Sequence, residues 1–164
     1  MALEVIIGNQ QDRVAIPELW LTELELLAPQ AVALAMDHAV EADVPLAHLA
    51  TLEVALVDDE TSARVHWEFM QLEGATDVIT FHHGEIVIGA EVAVRQAVDY
   101  GEPLAREILR YFVHGLLHLA GHEDDLEANR AEMETAQEAI LATLWTAERA
   151  ERFGIRAGIS SDLV

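Results

Sequence analysis

The residues best suited to chemistry lie together at positions 114–124, which read HGLLHLAGHED. His114 and His118 are four residues apart, so on a helix they share one face at about 6 Å and can reach a single metal ion. Gly121 favours the left-handed conformation that commonly ends a helix and would turn the chain back towards both imidazoles. The turn that follows offers three candidates for a third ligand: His122, Glu123 and Asp124. A zinc ion with three protein ligands keeps a fourth position for water, which is the arrangement of catalytic sites.

A histidine pair on a helix is more often structural than metal-bound, so its position relative to the core decides the interpretation. On a helical wheel of residues 104–120, leucine, isoleucine, phenylalanine and valine fill a wide apolar arc. His114 and His118 fall in the remaining polar arc. The same arc contains Glu107 and Tyr111. The histidines are therefore predicted to be available to a ligand, and we expect one Zn²⁺, or a similar divalent ion, per chain.

The residue after the first histidine helps to distinguish a peptide-cleaving site from an RNA-cleaving one. Zinc peptidases with paired helical histidines carry their glutamate base directly after the first histidine, and this chain has Gly115 there. Peptide hydrolysis therefore lacks its main base. RNA cleavage needs less from the protein, because the 2′-hydroxyl group of the substrate can act as the nucleophile. The nearest candidates for a catalytic base, or for support of the ligands, are His122, Glu123 and Tyr111.

The stretch at 114–124 resembles the signature of the YbeY family of metal-dependent endoribonucleases, HGxLHLxG followed by a short turn with histidine and acidic residues. A second match is TDVITF at 76–81, which is similar to the TDVLSF strand of that family. The further matches are GAEV at 89–92, Met133 and Gln137. Order and spacing agree over roughly residues 50–141. The resemblance implies a cytoplasmic, single-strand-specific endoribonuclease that acts in ribosomal RNA maturation and ribosome quality control.

Two positions depart from the pattern of this family. The family usually has a third histidine ten residues after the first, and this chain has Asp124 there. The family also has an arginine six residues before its TD pair, close to its RNA site, and this chain has Met70. The resemblance places the substrate groove beside the strand and the connection at 76–83. It therefore suggests substrate-binding roles for Thr76, Asp77, His82 and His83.

Asp124 and His122 compete for the third ligand position. Imidazole is the commoner zinc ligand, but His122 directly follows the glycine and has little chain with which to turn back. Asp124 has two more residues of chain and a carboxylate that binds zinc at about 2.0–2.2 Å. We therefore predict His114, His118 and Asp124 as the metal ligands.

The composition permits one folded domain but is unusual for an RNA-binding protein. With 164 residues, of which 52% are hydrophobic, the chain can bury one core, and we predict a single domain over 1–164 with a loose tail from about 154. The formal net charge is −21, and all nine basic residues are arginine. This charge repels phosphates at long range, so binding of single-stranded RNA, from the ribosome or associated with it, would depend on local contacts and on the metal.

Three absences bear on location. The sequence has no cysteine, no basic segment before an apolar run at its start, and no uninterrupted apolar run of about 18 residues. We therefore expect a cytoplasmic protein without disulfides, a signal peptide or a membrane partner. DNA is not an expected partner.

Hydrophobic periodicity predicts an α+β domain in which a small mixed sheet of about four strands packs with about five helices. Strands are predicted at 3–7, 50–57, 77–81 and 85–88. Helices are predicted at 18–42, 61–71, 91–100, 104–120 and 126–152. Pro29 is expected either to divide the first helix or to begin its second part. The metal site would lie at the end of the central helix, 104–120.

Three functions remain open on the sequence alone. The first is the endoribonuclease activity that the resemblance implies. The second is hydrolysis of another substrate, including peptide, by the same metal site. The third is a metal-stabilised binding protein that has lost catalysis, which Met70 and the net charge of −21 favour.

Overall fold

Runs of β-branched and other apolar residues form four strands, as such side chains favour the pleated, half-buried surface of a sheet. The structure is a computed structural model and describes residues 2–155. Its strands are β1 (Glu4–Asn9), β2 (Thr51–Val57), β3 (Val78–Phe81) and β4 (Glu85–Gly89). Its helices are α1 (Glu18–Asp37), α2 (Pro45–His48), α3 (Asp59–Met70), α4 (Ala90–Tyr100), α5 (Leu104–Leu119), α6 (Glu127–Leu144) and α7 (Ala147–Arg152).

The four strands make one mixed sheet in the order β1-β2-β4-β3. β1 pairs with β2 and β2 with β4 in parallel, while β3 returns antiparallel to β4 and forms an edge of the sheet. The tight turn between β3 and β4 contains Gly84, whose φ of +109° is a conformation that glycine adopts readily. The predicted α+β class and four-stranded mixed sheet are confirmed.

The two faces of the sheet carry different layers, because successive side chains of a strand point to opposite faces. Leu52 and Leu56 of β2, with Ile86 and Ile88 of β4, face the main core, which contains residues of α1, α5 and α6. A smaller cluster on the opposite face packs against Val65 of α3 and contains Ala55, Val57, Ile79 and Val87.

Helix α5 is the central helix of the domain and is more buried than its sequence pattern indicates. It contacts α1, α4 and α6 as well as β3 and β4. Glu107 and Tyr111, which the wheel places in the polar arc, are only 3% and 4% exposed. The polar arc is therefore not open along its whole length, because neighbouring elements cover its first half. His114 and His118 are half-buried, at the end of the arc that remains open.

Gly115 allows α5 to lie close to the sheet, and its replacement tests that contact. A helical glycine replaced by alanine usually gains up to about 1 kcal/mol of stability. Here the added methyl group would lie 2.7, 2.9 and 3.0 Å from three atoms of Ile86, which is fully buried. We therefore expect Gly115→Ala to lower the free energy of unfolding by about 1–3 kcal/mol, measured by urea titration. Gly8→Ala, whose methyl group meets nothing within 4 Å, is the control and should show no such loss; equal stability of both variants would contradict the close contact.

Two predictions about the helices are wrong, and one short helix was missed. Helix α1 continues through Pro29 without a break, because the proline is exposed and the buried residues around it, including Leu27, Ala28 and Ala31, hold the helix against the core. The short helix α2 was not predicted. The long C-terminal helix is divided into α6 and α7, because the Thr146 side chain accepts a hydrogen bond from the Arg149 amide and caps a new helix.

The last described part of the chain packs against α1. The Trp20 indole donates a hydrogen bond of 2.8 Å to the Phe153 carbonyl oxygen, 133 residues further along the chain. By length and composition α1 would be able to cross a membrane, but core helices meet the same criterion, and α1 buries Trp20, Leu24 and Leu27. The tail predicted to be loose lies outside the described residues from position 156 onwards.

Candidate metal centre

The end of α5 is built so that the chain reverses beside its last turn. The amides of Gly121 and His122 donate hydrogen bonds to the carbonyl oxygens of His118 and Leu117, at 3.0 and 2.9 Å. Gly121 has a φ of +95°, and a Cβ atom there would lie 2.4 Å from Val40. Only glycine fits this position, so the reversal that the sequence predicted depends on it.

The reversal brings Asp124 against the two histidines. The Nε2 atoms of His114 and His118 are 3.1 Å apart. The Asp124 Oδ2 atom lies 3.7 Å from the first and 3.6 Å from the second. These three residues form a group that could hold a metal ion. The point equidistant from the three atoms lies about 2.0 Å from each, which is the length of a zinc–nitrogen or zinc–oxygen bond.

The hydrogen bonds of the two imidazoles also fit a cation. His118 Nδ1 lies 3.0 Å from the His122 carbonyl oxygen, and His114 Nδ1 lies 2.7 Å from Gln137 Oε1. Both acceptors require a hydrogen on Nδ1, so both Nε2 atoms present lone pairs to each other at 3.1 Å. Two facing lone pairs repel unless a cation lies between them. Burial and the neighbouring His114 lower the pKa of His118, against the attraction of Asp124, so this ring favours the neutral form that binds metals.

The ligand group opens into a groove of about 500 Å³ between α3, β3 and α6. Asp124 is 48% exposed on its side chain, so the open side of the group faces this groove. Its walls include Thr76, Asp77, Thr80 and His82 from the β3 segment and its turn. The α3 and α6 walls contribute His66, Met70, Arg130, Met133 and Glu134.

The structure brings three of the four predicted substrate residues into the groove. Thr76, Asp77 and His82 line it, whereas His83 stacks on Phe81 with 5.4 Å between ring centroids. Met70 also lines the groove. The position at which the resemblance expects an arginine therefore presents an apolar side chain to the same space.

The three candidate bases lie outside the described walls of this groove. His122 is buried, and its Nε2 atom lies 2.7 Å from the His38 carbonyl oxygen. Tyr111 is buried as well, and burial together with Glu107 raises the pKa of its phenol above the ordinary value, so the phenolate that could act as a base is disfavoured. Glu123 is exposed and lies in an adjoining groove with His82 and Asp124. The geometry thus assigns His122 to support of the ligands, through its backbone carbonyl oxygen and His118.

Sequence analysis assigned no role to two acidic residues of α6. Both are exposed, but Glu134 lines the groove and Glu138 accepts hydrogen bonds from Arg110 and Gln137. Met133 and Gln137, both matched to the family pattern, were the residues that marked this part of α6 in the sequence. The contact itself depends on how α5 and α6 pack.

Comparisons with known proteins agree with this architecture, an α+β domain with a candidate metal centre at the end of its central helix. The family model described as Endoribonuclease YbeY matches residues 7–145. The chain belongs to the YbeY family.

Several relatives match most of this chain and nearly their own full length. A protein of Moorella thermoacetica named Endoribonuclease YbeY is 36% identical over 159 residues, covering 85% of this chain and 96% of the relative. A protein of Carboxydothermus hydrogenoformans with the same name is 33% identical over 147 residues, covering 84% and 95%. The solution structure of a Thermotoga maritima protein superimposes with a TM-score of 0.61 at 21% identity, covering 96% of this chain and 98% of that one. This last likeness supports the fold.

Proposed function

We propose that the protein is a metal-dependent endoribonuclease that cleaves single-stranded RNA, with ribosomal RNA as its substrate and the cytoplasm as its location. The ligand group of His114, His118 and Asp124, open to a groove lined by Thr76 and Asp77, carries this proposal. Family membership supports it, since the relatives matching over most of the chain are named endoribonucleases. Zn²⁺ is the proposed ion, because two imidazoles and a carboxylate are a ligand set that zinc accepts.

Each residue of the centre has a role that follows from its position. His114, His118 and Asp124 would hold a divalent ion, which would supply Lewis-acid polarisation of a phosphoryl oxygen. His114 and His118 present their Nε2 atoms to it, because their Nδ1 hydrogens are bound to Gln137 and to the His122 carbonyl oxygen. Thr76 and Asp77 line the wall of the groove across which the RNA strand would lie. Glu123 and His82 are the proposed groups for proton transfer, since both lie beside Asp124 in the adjoining groove.

The electrostatics of the groove suit a substrate held by few phosphate contacts. The chain carries a net charge of −21, and Arg130 is the arginine among the described residues of the groove wall. Binding of RNA would therefore depend on the ion, on Arg130 and on the neutral side chains of the wall. We expect weaker RNA binding than an arginine at position 70 would give.

Cleavage of a labelled RNA strand tests the proposed function directly. We expect the purified protein to cut single-stranded RNA, to lose this activity in EDTA, and to regain it when Zn²⁺ or Mn²⁺ is restored. His114→Ala should abolish cleavage, whereas His48→Ala, an exposed histidine on α2, should cut like the wild type. A DNA strand of the same sequence should remain intact if the 2′-hydroxyl group is the nucleophile.

Met70→Arg should raise the rate of RNA cleavage by adding a phosphate contact in the groove.

A second candidate function has specific support and is separated by the same assay. Met70 in the groove and the net charge of −21 would also suit a metal-stabilised binding protein without catalysis. That protein would bind RNA or a ribosomal partner without cutting it, with or without chelator. Cleavage that persists in EDTA and in His114→Ala would instead come from a contaminating nuclease and would end the endoribonuclease proposal.

A further inference from the structure

The two metal-binding histidines are oriented by different kinds of acceptor. His118 Nδ1 donates to a backbone carbonyl oxygen, that of His122, which is fixed by the helix-ending turn and has no donor to offer. His114 Nδ1 instead meets the side-chain amide of Gln137. An amide group presents either its oxygen or its NH₂ group after a rotation of half a turn. The orientation of Gln137 therefore decides which nitrogen of His114 carries the hydrogen.

A charged array, formed by Arg110 with Glu138, Glu102 and Glu107, fixes that orientation. Gln137 Nε2 donates to Glu138 Oε2 at 3.1 Å. Both oxygens of this carboxylate also accept hydrogen bonds from Arg110, at 3.0 and 3.1 Å. An ionised carboxylate only accepts hydrogen bonds, so it requires the NH₂ side of the Gln137 amide to face it. The amide oxygen is then left facing His114.

Arg110 is itself held in place at the back of the array. Its guanidinium donates to both oxygens of Glu102, at 2.6 and 2.9 Å, and to Glu107. Its side chain is 15% exposed, and Gln137 is 9% exposed. Water therefore competes little for the bond between His114 and Gln137, and rotation of the amide would set its oxygen against the Glu138 carboxylate.

We propose that Gln137, oriented by Glu138 and Arg110, is a positioning residue that keeps His114 in the tautomer with a hydrogen on Nδ1 and a free Nε2. In the other tautomer His114 Nε2 carries the hydrogen, and the ligand group loses one of its three metal-binding atoms. The inference rests on the metal centre of the proposed function and does not depend on RNA cleavage.

Metal affinity of four proteins tests the acceptor role. Zn²⁺ affinity would be measured by competition with a chromogenic chelator for the wild type, Gln137→Met, Gln137→Glu and Gln96→Met. Gln137→Met keeps the length of the side chain without an acceptor and should bind Zn²⁺ about 10–100-fold more weakly. Gln137→Glu keeps an acceptor towards His114 but replaces the donor to Glu138 with an oxygen, so it should bind Zn²⁺ clearly more tightly than Gln137→Met even if it is less stable than the wild type. Gln96→Met, the same exchange on α4, is the control and should bind normally.

The tautomer itself is measured without any metal or RNA. Long-range ¹H–¹⁵N correlation spectra of the metal-free protein distinguish an imidazole protonated on Nδ1 from one protonated on Nε2. We expect His114 to be the Nδ1–H form in the wild type and a mixture of both forms in Gln137→Met and in Glu138→Ala. His118 should keep the Nδ1–H form in all of them, since its acceptor is backbone.

Any of three results would overturn this inference. The first is an Nε2–H form of His114 in the metal-free wild type, and the second is an unchanged Zn²⁺ affinity in Gln137→Met. The third is a loss in Gln137→Glu as large as that in Gln137→Met. Failure of the wild type to cleave RNA would leave both readouts intact, so the endoribonuclease proposal and this one fail separately.

Discussion

Asp124→Ala is expected to lose the metal ion, whereas His122→Ala is expected to keep it. Asp124 Oδ2 lies 3.7 and 3.6 Å from the two facing Nε2 atoms, so its removal leaves two ligands of three. His122 is directed away from the group, to the His38 carbonyl oxygen. Elemental analysis after dialysis against a stoichiometric amount of Zn²⁺ should give about one ion per chain for the wild type and His122→Ala, and close to none for Asp124→Ala.

Stability measurements keep this comparison interpretable. His122→Ala removes a buried side chain and its hydrogen bond, so a loss of about 1–3 kcal/mol in the free energy of unfolding is expected even with the metal bound.

Asp124→His should retain the ion and shift the pH–rate profile of RNA cleavage towards lower pH, because the site then carries one more positive charge. The assignment would be wrong if His122→Ala lost the ion while Asp124→Ala retained it.

Arg110→Met should be the most damaging change outside the ligand group. Arg110 is the shared partner of Glu102, Glu107 and Glu138. Its removal leaves three carboxylates close together, two of them largely buried, without their cation. Breaking a buried ion pair from one side usually costs 3–5 kcal/mol. Because Glu138 is 49% exposed and partly screened by water, we expect a loss of about 3 kcal/mol at pH 7.

The sign of the pH dependence distinguishes this effect from simple loss of packing. Burial raises the pKa of Glu102 and Glu138, but hydrogen bonds from Arg110 hold both below their ordinary range. Their contribution to stability is therefore present above the unfolded pKa of about 4.3 and is lost as pH falls through the folded values. For Glu107 burial prevails and holds its pKa above the ordinary range, so its ionisation opposes folding as pH rises. Without Arg110, burial should raise the pKa of all three carboxyl groups, and their ionisation should then oppose folding as the pH rises.

Urea titrations at pH 7 and at pH 4.5 therefore test the array. The difference in unfolding free energy between wild type and Arg110→Met should be largest at pH 7 and should shrink towards pH 4.5. Arg106→Met is the matched control, because Arg106 is more exposed and bonds Glu102 alone within the array, at 2.7 Å; it should cost about 1 kcal/mol or less. A loss in Arg110→Met that is equal at both pH values would indicate packing rather than charge.

The parts of the site that were predictable from the sequence are those set by local geometry. The helical spacing of His114 and His118, the glycine stop at 121 and the reach of Asp124 lie within 114–124. Rules for one turn of helix and one reversal suffice to bring their atoms together. The positions of the four strands and the α+β class followed in the same way from periodicity, whereas the order of the strands in the sheet did not.

The parts that were not predictable depend on which elements pack together. A helical wheel shows that Glu107 and Tyr111 share an arc with the histidines, but it cannot show that neighbouring elements bury that half of the arc. The contact between Arg110 and Glu138 could not be predicted for the same reason, because these residues are 28 positions apart and meet only where α5 packs on α6. At Pro29, buried neighbours outweigh the local cost of a proline inside a helix. The cap at Thr146 was a local signal, and it was missed.

The hydrogen bond between Trp20 and the Phe153 carbonyl oxygen has a consequence for the order in which the chain folds. During synthesis α1 leaves the ribosome early, yet its partners in α5, α6 and the segment at Phe153 are made last. The part of the α1 face that packs on α5 and α6 must therefore stay uncovered until these helices have emerged, although β1 is already present. Local helices form early, but the core closes late. For this protein, a nascent chain stalled just before Phe153 would leave Trp20 without its late partner and expose it to chaperones and proteases.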